Sequence, residues 1–137
     1  MGISILCVDD DPSVLEAYRR AFCRRYDVYL AQGPIQGLEK LDLGPFYSVI
    51  LSDKNMPLMD GIEFLEIAAQ RFPGSVRVML TGLADEPSTL QALRDGKIQR
   101  LLAKPCPLKA LEKVVEEAAA QAWQRLEAPV PELAAAF

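Results

Sequence analysis

The chain has no histidine among its 137 residues. A Ser-His-Asp or Cys-His catalytic arrangement within it is therefore excluded, and the usual nitrogen ligands of zinc are missing. Cysteine is scarce as well: Cys7, Cys23 and Cys106 have no paired spacing. That pattern reads as free thiols in a reducing cytosol, each expected as a small buried side chain rather than half of a disulfide. No basic block and no long apolar run occurs, so a membrane span, which needs about 18 or more apolar residues, is not expected. The opening MGISILCVDDD lacks the basic start and cleavage site of a signal peptide, and its sixth position is not the Ser or Thr of a myristoylation signal. A net charge of −4 argues against nucleic acid as a direct partner. Chemistry in such a chain has to run on carboxylates, hydroxyls and lysine.

What remains is an ordinary globular composition, 50% hydrophobic and 25% charged. The length suits one domain, which can bury roughly two-thirds of its unfolded surface without staples. Residues 3–8, ISILCV, form an apolar run halted by Asp9-Asp10-Asp11-Pro12. This fits a strand buried on both faces, then a helix with Asp as cap and Pro in its first turn. Val14, Leu15, Tyr18, Ala21 and Phe22 follow at helical spacing, with Arg19, Arg20, Arg24 and Arg25 largely off that face. DVYLA at 27–31 reads as a strand. Residues 34–43 read as a helix with Ile35, Leu38 and Leu41 inward, ended by Gly44-Pro45. SVILS at 48–52, VRVML at 76–80 and RLLA at 100–103 are the remaining strands. Helices are expected over 61–72, over 87–95 with Gly96 as cap, and from 107 to about 125, the last with Leu108, Leu111, Val115, Ala118 and Ala122 inward. The domain is therefore taken as 1–125, and 126–137, which carries two prolines and no amphipathic face, as a tail or the start of a linker. Strict alternation of five strands and five helices implies an α/β fold: a parallel sheet covered by helices on both faces, with right-handed crossovers.

In an open parallel sheet, ligands bind beyond the carboxyl ends of the strands. Strand one ends in Asp9-Asp10, strand three in Asp53, strand four in Thr81-Gly82 and strand five in Lys104-Pro105. Three carboxylates gathered at one edge repel each other by on the order of 4 kcal/mol per pair at about 4 Å and an effective dielectric near 20. A cation would relieve that cost. All-oxygen ligands suit a hard ion, of which Mg²⁺ is the abundant one. Lys104 and Thr81 are suited to phosphoryl oxygens that share such a metal.

With these residues in place, the chain resembles the receiver domain of two-component response regulators, the CheY-like family, from about residue 3 to 125. ILCVDDDP is similar to the family's acidic opening, and VILSDKNMPLMDG to its phosphoacceptor strand and loop. VMLTG and LLAKP are similar to its hydroxyl-bearing and lysine strands. The resemblance implies a flavodoxin-like, doubly wound (βα)5 sandwich with strand order 2-1-3-4-5. It implies that Asp53 accepts a phosphoryl group from a sensor histidine kinase or phosphotransfer protein. Asp9, Asp10, Asp53 and the backbone carbonyl of Asn55 would hold Mg²⁺. Lys104 would pair with the phosphoryl group, Thr81 would hydrogen-bond to it, and Lys104-Pro105 would be cis. Such a protein is a cytoplasmic signalling switch rather than a metabolic enzyme. It acts on an output domain or target protein, and homodimerisation on activation is left open. One position departs from the pattern: Leu101 stands three residues before Lys104, where many receivers carry an aromatic residue that turns inward.

Three other readings compete with this one. A haloacid-dehalogenase-type phosphohydrolase needs a second Asp two residues after the nucleophile, where this chain has Asn55. A nucleotide or flavin domain needs a Gly- or Ser/Thr-rich loop after strand one, where Asp9-Asp10-Asp11 would repel phosphate. A receiver-shaped interaction module working without phosphorylation is the alternative, invited only by Leu101.

Overall fold

A computed structural model describes residues 2–127. Five strands alternate with five helices. The first half runs β1 (Ser4–Asp9), α1 (Pro12–Phe22), β2 (Asp27–Gln32), α2 (Pro34–Leu43) and β3 (Val49–Asp53). The second half runs α3 (Gly61–Arg71), β4 (Val76–Thr81), α4 (Pro87–Arg94), β5 (Arg100–Ala103) and α5 (Leu108–Glu127). The strands form one parallel sheet in the order β2-β1-β3-β4-β5, as the resemblance implied.

Alternation along each strand divides the core in two. Ile5, Cys7, Val49, Leu51, Val76, Val78 and Leu80 face α1 and α5, where Leu15, Phe22, Leu111 and Val115 cover them. Leu6, Val8, Ile50 and Met79 face the other way, onto Leu41, Phe64, Leu65 and Ala92 of α2, α3 and α4. Both faces of β1, β3 and β4 are thus sealed, which is why those strands read as unbroken apolar runs. Each fully buried Leu, Ile or Val contributes about 1.5–3 kcal/mol. The edge strands β2 and β5 are only partly buried.

Several details differ from expectation. Ile35 is 51% exposed, and α2 buries Pro34, Gly37 and Leu41 instead. The cause is close approach: a Cβ at Gly37 would lie 2.7 Å from the Phe64 ring, so the helix turns this glycine inward and Ile35 outward. Leu108 is also exposed, because it opens α5 and the inward face starts one turn later at Leu111. Of the cysteines only Cys7 is in the core; Cys23, at the end of α1, is exposed, and Cys106, in the loop before α5, is half-buried. α5 continues through Glu127. The rest of the expected tail lies outside the described residues.

Candidate functional site

The sheet register sets the site. Val8 pairs with Ser52, so Asp9 and Asp53 end their strands level with each other. Asp53 pairs with Leu80 and Thr81 with Ala103, so Thr81 and then Lys104 each stand one residue further out. The ladder continues past the strands, with the Lys54 N–H donating to the Leu80 carbonyl and the Lys104 N–H to the Thr81 carbonyl, both at 2.9 Å. The Lys104-Pro105 peptide is cis.

Asp9 and Asp53 are buried, at 3% and 5% exposure, while Asp10 is exposed. One carboxylate oxygen from each of the three lies within 4.8 Å of the others. Local chemistry accounts for only part of this acid. Asp11 caps α1, accepting from the Ser13 N–H at 2.9 Å, and Asp9 accepts from the Asp11 N–H at 2.9 Å. Burial pushes the Asp9 carboxyl up to about 6, the Asp53 and Asp10 charges push the same way, and the Asp11 N–H and Lys104 oppose them. Lys104 forms an ion pair with Asp53. Thr81 is buried beside them, its hydroxyl accepting from the Leu83 N–H at 3.2 Å. Asn55 is exposed in the loop after β3. Leu101, the register partner of Met79, packs half-buried against the α2–α4 side of the core.

This arrangement concentrates acceptor-only oxygens around a buried carboxylate, with one cation at hand. A hard cation with oxygen ligands fits the donor set. A family model, Response regulator receiver domain, matches residues 5–116. The chain belongs to the response regulator receiver domain family.

This receiver is 31% identical over 115 residues to the hydrogenase transcriptional regulatory protein HoxA of Bradyrhizobium diazoefficiens, covering 84% of this chain and 24% of that protein. It is 34% identical over 137 residues to the transcriptional regulatory protein ZraR of Klebsiella oxytoca, covering 98% of this chain and 30% of that one. The receiver therefore spans less than a third of the length of these relatives. A CheY-like response regulator receiver domain protein from Methanospirillum hungatei superposes with a TM-score of 0.83 at 26% identity, covering 90% of this chain and 98% of that one.

Two features of the receiver's site escaped the sequence reading. Gly61 opens α3 directly under the end of β3: a Cβ there would sit 2.4 Å from the Asp53 carbonyl oxygen, and its N–H donates to the Lys54 carbonyl at 2.7 Å. The spacing places a helix start at Gly61 but shows neither this close approach nor the Asp60 carboxylate that caps α3 by accepting from the Glu63 N–H. The second is an ion pair between Lys54, beside Asp53, and Glu86, the residue before α4. Their separation in sequence hides it.

Proposed function

We propose that this receiver is the phosphoacceptor module of a two-component system and that Asp53 carries the phosphoryl group. The observation that supports this most strongly is the buried Asp53 carboxylate, paired with Lys104 and facing Asp9 and Asp10. An Asp53 oxygen attacks the phosphorus of a phosphohistidine, a P–O bond forms as the N–P bond breaks, and the imidazole leaves with the electron pair. Lys104 offsets charge on the transferring oxygens, and the Thr81 hydroxyl donates to one of them once the acyl phosphate exists. Asp9, Asp10, Asp53 and the Asn55 carbonyl would hold Mg²⁺. The bound ion would supply positive charge against the carboxylates and the phosphoryl oxygens. The added charge, about −1.5 to −2, then biases the Thr81 loop toward a second arrangement.

The phosphodonor would be a sensor histidine kinase or phosphotransfer protein in the cytoplasm. The much longer relatives support an output domain as the element controlled, with residues 126–137 a tail or the start of a linker toward it. Intact mass after incubation with acetyl phosphate and Mg²⁺ tests the reading. A gain of one phosphoryl group, about 80 Da, is expected in the native chain and not in Asp53→Ala or without Mg²⁺. No gain with either acetyl phosphate or a phosphorylated histidine donor would leave an interaction module that works without phosphate.

A further inference from the structure

The loop from Gly82 to Glu86 joins Thr81 to α4, and its two ends are held differently. At the first end the Thr81 hydroxyl accepts from the Leu83 N–H at 3.2 Å, a bond that a movement of Thr81 toward Asp53 would stretch. At the second end Glu86 occupies the cap position of α4, but its side chain makes no capping hydrogen bond. Its carboxylate is committed instead to Lys54. Lys54 is only 11% exposed, so its ammonium relies on Glu86 for a partner. The helix that follows has just eight residues and is the one most lightly held by the rest of the fold. It also buries a cost: the Thr89 hydroxyl is fully buried with no hydrogen-bond partner. Thr89 lies on the same helical face as Ala92, which packs against the α2–α4 side of the core. A buried hydroxyl left without a partner keeps its full desolvation cost. Leu101, at the position of the family's inward-turning aromatic residue, offers neither a ring nor a polar tip to carry that movement of Thr81.

We infer that the Lys54–Glu86 ion pair is a positioning latch: it holds the Thr81–α4 loop in its unphosphorylated arrangement, and Glu86 must release Lys54 for Thr81 to engage the phosphoryl group. The inference rests on the phosphoacceptor reading above. Lys54 follows Asp53 directly, so the latch links the residue next to the reacting carboxylate to the first turn of α4. A latch on the unphosphorylated state lowers the apparent affinity for any phosphoryl mimic, by the fraction of molecules held closed.

Beryllofluoride, a phosphoryl mimic, titrated in Mg²⁺ and followed by the amide resonances of Gly82–Glu86, tests this with four variants. Lys54→Met and Glu86→Gln should each tighten beryllofluoride binding by about three- to tenfold. The double variant should bind like either single one, and Lys54→Arg like the native chain. Simple electrostatics predicts otherwise, because removing a cation weakens anion binding and removing an anion strengthens it. Opposite shifts in the two single variants would therefore overturn the latch. So would a loss of thermal stability in both with no change in affinity, the mark of a merely structural pair. If the native chain and every variant take no beryllofluoride, the phosphoacceptor reading fails and the latch with it, an outcome distinct from a native chain that binds and variants that bind equally.

Discussion

Two buried charged sites lie at opposite ends of this sheet, and their surroundings differ completely. At the amino end of β4, Arg77 is 4% exposed, yet each of its groups has a partner. It donates to the carbonyls of Lys97, Gly96 and Ser75 at 2.7, 2.9 and 3.1 Å, and its own N–H donates to the Gln99 side chain. Burial, helped by nearby Arg125, lowers its affinity for a proton, but an arginine keeps its charge. At the carboxyl end, Asp9 and Asp53 face each other with Asp10 alongside and Lys104 as the paired cation. The first charge is complete without a ligand and ties the α4–β5 connection to the sheet. The second has an excess of negative oxygens, which is the signature of a site built for something that comes and goes.

If this contrast is right, removing charge should act with opposite sign at the two ends. Arg77→Met strands three carbonyls and should cost about 2–4 kcal/mol in urea unfolding, while folded molecules still take phosphate from acetyl phosphate. Equal loss of stability and labelling would break the contrast. Asp9→Asn should instead stabilise the metal-free protein, by about 3 kcal/mol at pH 8. The sign follows from the raised carboxyl: with a folded value near 6 against about 3.8 unfolded, the native state holds the proton more tightly. Its charged form therefore penalises folding, increasingly as pH rises from about 4 through 6 and fully above that. Native protein without metal should lose stability across this window, and Mg²⁺ should restore it. The same variant should bind Mg²⁺ more weakly by calorimetry. Destabilisation of Asp9→Asn at pH 8 would contradict the account.

These effects also show where the sequence was readable. The strand-end residues could be placed together because parallel topology gathers every carboxyl end on one edge. Asp9, Asp53, Thr81 and Lys104 needed no knowledge of loop paths. Arg77 interrupts the VRVML run visibly, but two of its three carbonyl acceptors come from a loop some twenty residues away. Ile35 was misplaced because amphipathic spacing ignores how closely a neighbouring ring allows a glycine to approach. Gly61 follows the same logic, and it yields the smallest effect of this group. Gly61→Ala should cost about 1–2 kcal/mol, since the added carbon meets backbone rather than a flexible side chain. It should also slow labelling of Asp53 by displacing its carbonyl. A variant with native stability and labelling rate would show that the loop yields freely.

The most direct test of the central claim is to locate the phosphoryl group chemically. Protein treated with acetyl phosphate and Mg²⁺ is reduced with borohydride, which converts an aspartyl phosphate to homoserine, and the peptides are mapped by mass spectrometry. Homoserine at position 53, with Asp9 and Asp10 intact, is the predicted result. Homoserine at position 9 or 10, or at none of the three in a protein whose intact mass shows phosphate, would contradict it.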